Sequence, residues 1–199
     1  MLRIGLTGSM ATGKTTVLNQ CANMGVPTYS ADEAVHELYR GEAVPMVEAM
    51  FPGTVRDGKV DRQALSAQLA ENPERISELE TLIHPLVWEK TLEFLDEAQA
   101  RGMAVAVVEI PLLFETGANY PLDCIIVTHC SDEIQRQRAL KRAGMDPERL
   151  DMLLSRQMSQ EEKKQRGDFL IDTSGAIEQT RARTEEIIKE LWVEPEKCE

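Results

Sequence analysis

Apolar residues along the chain fall into short runs separated by stretches with helical spacing. Five runs have strand length, at residues 2–7, 26–29, 104–110, 124–128 and 169–171. They are continuously apolar rather than alternating, which suits strands covered on both faces of a sheet. Helical spacing fills the intervals. It predicts a helix over 15–24 and a closing one over 176–192, where Ile177, Ile187, Ile188 and Leu191 form one stripe. Strand and helix in alternation is the pattern of an α/β domain built on a parallel sheet.

The alternation breaks once. More than 70 residues between the second and third runs carry no strand signal. They read as helices over 32–40, 44–50, 61–70, 73–83 and 85–101, with turns at Pro52-Gly53 and Asp57-Gly58. Pro85 is placed to begin the last of these at its first helical position. A helical insertion of that size is a candidate acceptor-binding region. Residues 146–167, polar and basic, read as a lid. A length of 199 residues suits one domain. Its expected parts are a core (1–31, 102–138 and 168–199), the insertion (32–101) and a lid region (139–167). There are no internal repeats, and the acidic tail 194–199 is expected to fray.

The first strand runs straight into GSMATGKT, residues 8–15. Gly8, Gly13, Lys14 and Thr15 satisfy G-x-x-x-x-G-K-[ST], with a strand before and a helix after, the setting that pattern requires. Glycines let the backbone turn its N–H groups inward, and the helix start adds unpaired amides and a positive dipole end. Lys14 brings a point charge to the β- and γ-phosphates of a nucleotide, and the Thr15 hydroxyl completes a Mg²⁺ shell. Ala11, Thr12 and Thr16 belong to the same expected ATP site. The loop is built for phosphate.

Composition narrows the partners. The chain is 42% hydrophobic and 28% charged, ordinary for a globular protein, and its apolar runs are too short to cross a membrane. The first strand begins at once, which leaves no room for a signal peptide. Four cysteines lack C-x-x-C spacing and are expected to be reduced thiols, pointing to the cytoplasm. A net charge of −12 argues against nucleic acid. The cations are unevenly spread: residues 131–166 hold nine of the 22 Lys and Arg against seven acids. Most of these suit a solvated helix face. A sharper reading makes some of them a positive wall facing the triphosphate, with Arg138 and Arg142, four apart on one expected helix, as clamps. Arg142 is the preferred lid arginine.

These stretches together resemble the dephospho-CoA kinases, nearly end to end and in order: LTGSMATGKTTV, YSADEAVHEL, DGKVDRQAL, LETLIHPLV, VVEIPLLFET, QRQRALKR, SRQM and DFLIDTSGA. The loop alone identifies only a superfamily, whereas HPLV, PLLFE and DFLID at these distances are much more specific. The resemblance implies a three-layer P-loop kinase fold with a five-stranded parallel sheet, a helical CoA-binding insertion and a lid. It implies transfer of the γ-phosphoryl of ATP to the ribose 3′-hydroxyl of dephospho-CoA, the last step of CoA biosynthesis.

The family's acceptor-activating aspartate falls on Asp32, where a carboxylate orients the hydroxyl and accepts its proton. The residues alone leave a second reading, a capping box over Ser30-Ala31-Asp32-Glu33 with Asp32 in the first turn. Relatives commonly carry a second Asp where Ser30 stands. His84 of HPLV is either a substrate contact or structural. Arg62 either meets the substrate's phosphates or caps and pairs. Glu109 falls where P-loop proteins hold an acid near Mg²⁺, usually through water. Pro111, Leu112 and Leu113 border the implied acceptor pocket, or pack with Phe114 as core. Thr173-Ser174 stands in place of the family's usual asparagine pair.

Other classes fit less well. A GTPase switch needs N-K-x-D, and no Asn-Lys pair occurs. A non-catalytic nucleotide-binding protein would be expected to lose Asp32 or Lys14. A P-loop kinase of another nucleotide or small metabolite is the main rival. None of these patterns sets an oligomeric state.

Overall fold

A computed structural model describes residues 1–193. The acidic tail 194–199, with Cys198, lies outside the described residues. Five strands form the main sheet: β1 (Leu2–Thr7), β2 (Thr28–Ser30), β5 (Val105–Glu109), β6 (Cys124–His129) and β7 (Phe169–Asp172). Their order is β2-β5-β1-β6-β7. β1 lies parallel to both neighbours, with Ile4 opposite Val107 on one side and Cys124 on the other. β6 and β7 are likewise parallel. With β1, β5, β6 and β7 running the same way, the loops that follow them leave from one edge of the sheet, where ligands of such sheets bind.

The chain divides into two compact units, one formed by Met1–Tyr29 with the chain from Leu95 onward, the other by Ser30–Phe94. In the first, α1 (Lys14–Asn23) and α9 (Ile177–Val193) cover the sheet. Ile4, Leu6, Val107, Ile126 and Ile171 pack with Val17 and Cys21 of α1 and with Ile187, Ile188 and Leu191 of α9. Removing such side chains from water stabilises by about 1.5–3 kcal/mol each before entropy is counted. α1, the helix that carries the loop's lysine, is therefore rooted in the core.

The second unit holds α2 (Ala31–Leu38), α3 (Val44–Met50), a hairpin of β3 (Val55–Arg56) and β4 (Lys59–Val60), α4 (Arg62–Glu71) and a 3₁₀ turn at Pro73–Arg75. Its buried residues include Leu38, Val47, Phe51 and Leu65. The hairpin corrects the expectation of an insertion without strands. Asp57 (φ 49°) and Gly58 (φ 72°) are both left-handed, the turn that lets strands fold back on themselves, and Asp-Gly is the dipeptide that favours it. The strands are only two residues each, too short to register as alternation.

A second correction concerns Pro85. It does not begin a helix; it lies inside α5 (Ile76–Ala100). Pro85 forfeits one helical hydrogen bond. Ile83, Val87, Thr91 and Leu95 are all buried at four-residue spacing, and this unbroken stripe carries the helix through.

The cysteines also differ from expectation. Cys21 and Cys130 are free and buried, and burial pushes the Cys21 thiol up to about 12. Cys124 is disulfide-bonded and is not the reduced thiol expected there.

Candidate nucleotide and acceptor sites

The loop after β1 is shaped by three left-handed residues, Gly8 (φ 150°), Ala11 (φ 62°) and Gly13 (φ 88°). A Cβ on Gly8 would run into the carbonyl and hydroxyl of Thr128, and one on Gly13 would sit 3.1 Å from the Thr173 methyl. Gly8 is required sterically as well as conformationally, whereas Gly13 is held chiefly by its left-handed φ, its Cβ contact being only tight. The Thr12 hydroxyl donates to Ser9 O at 2.8 Å and lies 2.8 Å from Thr128 Oγ1, which ties the loop to β6. Lys14 folds back over the loop, its Nζ donating to the carbonyls of Gly8 (3.0 Å) and Ser9 (3.2 Å). Its ammonium is thus held beside the loop, where an incoming phosphate can compete for it.

A cavity of about 310 Å³ opens on this loop. Of the nine residues assigned to the nucleotide from sequence, Ala11, Gly13, Lys14, Thr15, Thr16, Arg138 and Arg142 line it. Gly8 and Thr12 do not; they shape the loop from its protein side.

The two arginines reach the cavity differently from expectation. α6 (Asp132–Leu140) ends with Lys141 as its cap, and the Arg142 amide closes on Ala139 O at 3.0 Å. Arg142 therefore stands past the helix end and is exposed, with no ion pair among the described residues. Gly144 (φ 72°) and then Pro147 follow, neither of which prolongs a helix. Arg138 stays on α6, and its guanidinium donates to Thr173 Oγ1 (3.0 Å) and Thr173 O (2.7 Å).

Thr173, marked in the sequence only as replacing one of the family's usual asparagines, has a structural role that sequence reasoning missed. It follows β7, is buried, and its hydroxyl lies 2.9 Å from Thr12 O and 3.2 Å from His129 O. It joins the loop, β6 and Arg138 at one point. Asp172, ahead of it, accepts from the Ser174 amide at 2.8 Å, an Asx turn that presents Thr173. The available signal was a D-T-S-G turn leaving the loop-bearing edge of a parallel sheet. Replacing Thr173 by valine keeps the shape and removes the hydroxyl. Leaving these buried polar groups short of partners is expected to cost about 1–3 kcal/mol in urea unfolding, and to raise KM for nucleotide modestly, because Arg138 loses its contact to the hydroxyl and keeps the one to Thr173 O. Unchanged stability would show that the junction does not hold the loop.

The segment before β7 also meets the loop. It carries α7 (Pro147–Ser155) and α8 (Gln160–Lys164). Gln157 Oε1, between the two, accepts from the Met10 amide at 2.9 Å, and Leu150 is fully buried. Lys163 of α8 is fully buried too. It pairs with Glu115 at 2.9 Å and donates to Pro111 O at 3.1 Å, fastening α8 to the turn after β5. In that turn Leu113 is buried, while Pro111 and Leu112 are half-buried. Glu109, at the end of β5, is a buried carboxylate.

In the second unit, Asp32 lies in the first turn of α2 and is exposed. Among the described residues its carboxylate makes no hydrogen bond or ion pair. Ser30 is the N-cap by backbone geometry, yet its buried side chain caps no amide, so the capping box offered as a second reading of these residues does not form. Arg62 begins α4 and its guanidinium hydrogen-bonds His36 Nε2. His84 is exposed on α5.

A family model described as dephospho-CoA kinase matches residues 2–179. A Rhizobium etli protein named dephospho-CoA kinase is 51% identical over 191 residues, covering 96% of this chain and 94% of its own. Among solved structures, dephospho-CoA kinase from Campylobacter jejuni superposes with a TM-score of 0.73 at 26% identity, covering 97% of this chain and 98% of its own. A Thermus thermophilus protein superposes at 0.78 with 29% identity, covering 96% and 97%.

Proposed function

The chain belongs to the dephospho-CoA kinase family and phosphorylates dephospho-CoA in CoA biosynthesis, and from that premise we propose how its own residues do so. ATP binds in the 310 Å³ cavity on the loop. Its γ-phosphoryl passes to the ribose 3′-hydroxyl, leaving CoA and ADP. The observation that carries this reading is the meeting of Gly13, Lys14, Thr15, Arg138 and Arg142 around one cavity at a helix start.

Lys14 and the two arginines hold the anionic groups on which charge grows in a loose transition state. Asp32 accepts the proton of the 3′-hydroxyl, and Arg62, His84 and the 111–113 turn hold the acceptor. Residues 139–167 act as the lid that excludes water, and 32–101 as the acceptor-binding insertion.

The donor set suits Mg²⁺. Among the described residues no group of three or more His, Cys, Asp and Glu could hold a metal unaided. Mg²⁺ needs none, because it keeps several waters and binds mainly through substrate phosphates. Thr15 lines the cavity and its hydroxyl would serve as one ligand, while Glu109, buried at the end of β5, would act through water. When bound, the ion neutralises charge on the β- and γ-oxygens. No helix among the described residues is long and apolar enough to cross a membrane. The cytoplasm, where ATP is supplied, is the compartment proposed.

The test is ADP release by purified protein in a coupled assay with Mg²⁺-ATP. Dephospho-CoA is expected to accelerate release far beyond adenosine or AMP. Equal release with all three would hand the activity to a kinase of another metabolite.

A further inference from the structure

The second unit contains a cleft of about 180 Å³, lined by His36, Tyr39, Arg40, Lys59, Val60 and Arg62. Its floor is apolar and fixed. Tyr39 and Val60 are buried, and the Val60 amide donates to Tyr39 O at 2.8 Å, which ties the β3–β4 hairpin to the end of α2. Its rim is cationic. Arg40, Lys59 and Arg62 are exposed, and among the described residues none of the three has an ion-pair partner.

The nearest acid in sequence is engaged elsewhere. Asp61 caps α4 by accepting from the Gln63 and Ala64 amides, and its other oxygen pairs with Arg56 at 3.1 Å. The cap bond from Ala64 and then that from Gln63 hold its carboxyl below the usual range, with Arg56 adding to them. The Arg62 guanidinium hydrogen-bonds His36 Nε2, another residue lining the cleft. Its charge is felt at Tyr39, where it opposes the upward push of burial on the phenol. Three exposed cations, without ion-pair partners among the described residues, thus line one small cleft in a chain whose net charge is −12. Such convergence repels itself until an anion with more than one charge arrives.

We propose that this cleft is the seat of the diphosphate bridge of dephospho-CoA. The proposal rests on the kinase function given above and adds the part of the substrate that the cleft holds. Dephospho-CoA carries its negative charge on those two phosphates alone. A cleft of about 180 Å³ has room for phosphate groups. The product carries the same diphosphate. The cleft therefore grips substrate and product alike and adds nothing for an acceptor that lacks it.

The test uses the full chain with Arg40→Gln and Lys59→Gln, two exposed positions, singly and together. Each single change is expected to raise KM for dephospho-CoA, and its Kd by calorimetry without ATP, about 10-fold, the loss of one charge-assisted contact. The Ki of CoA as inhibitor should rise by the same factor. kcat, KM for ATP, melting temperature and the slow reaction with adenosine should stay as in the wild type, and Lys59→Arg should restore binding. Wild-type affinity for dephospho-CoA in the folded double variant would overturn the cleft while leaving the kinase function intact. A wild-type protein that binds dephospho-CoA but makes no CoA would instead overturn the function, and this proposal with it.

Discussion

Lys14→Ala is expected to lower kcat by on the order of 10²-fold or more, with the larger loss in turnover rather than in ATP binding. The ammonium lies 3.0 and 3.2 Å from two carbonyls of its own loop. Neither contact belongs to the core, so their loss should leave the fold intact. In the proposed bound state the same ammonium would face the transferring group, on which negative charge moves. An interaction that strengthens as charge moves lowers the barrier, whereas one of constant strength lowers only KM. Alanine removes the charge at a position that amides from Gly13 onward can only partly cover. Saturating ATP in the coupled assay separates the two effects, and circular dichroism checks the fold. Near-wild-type turnover there would mean that this loop is not the donor site.

The parts of the structure legible from sequence are those where sterics or repetition leave little choice. The run 2–7 is β1 as read, because continuous apolar residues ending in a glycine loop have few other folds. The helix read over 44–50 is α3 to the residue. The loop was legible for the same reason, since a Cβ on Gly8 would strike Thr128 and Gly13 holds a left-handed φ that favours glycine. What escaped was decided by partners distant in sequence. Pro85 reads as a helix start until the buried stripe through Ile83, Val87 and Thr91 outweighs its missing donor. Arg142 reads as helical until the Ala139 carbonyl closes the helix ahead of it. Thr173 is a lone threonine on paper, and it matters only because folding brings Thr12 and Arg138 to it from 161 and 35 residues away. The rim formed by Arg40 and Lys59 escaped likewise, because it needs the hairpin that two-residue strands conceal.

Asp32 is where local structure and proposed chemistry make opposite predictions. Its carboxylate is exposed, in the first turn of α2, without a hydrogen bond or ion pair among the described residues. The structural role left to it, with no capping box, is a favourable charge at a helix start, worth about 0.3–1 kcal/mol. Asp32→Asn keeps the shape and deletes the charge. If the helix is all that Asp32 serves, stability falls by that amount at most and kcat stays near wild type. If Asp32 takes the acceptor's proton, melting temperature hardly moves, dephospho-CoA still binds, and kcat falls roughly 10²- to 10⁴-fold, the range of a positioned acid–base group. The second outcome is the one expected. Asp32→Glu sharpens the contrast, because glutamate keeps the charge in the first turn and moves the oxygens by one methylene. A helix role predicts full activity for it. A proton acceptor must lie within hydrogen-bond reach of the 3′-hydroxyl, so the proposed role predicts a loss there too. Restoring the family's common aspartate by Ser30→Asp is not the neutral change that a surface cap would make it. Ser30 is only 4% exposed, and a carboxylate buried there pays its own desolvation. Full turnover in both Asp32→Asn and Asp32→Glu would remove Asp32 from the mechanism. Catalysis would then rest on the loop and the arginines that face it.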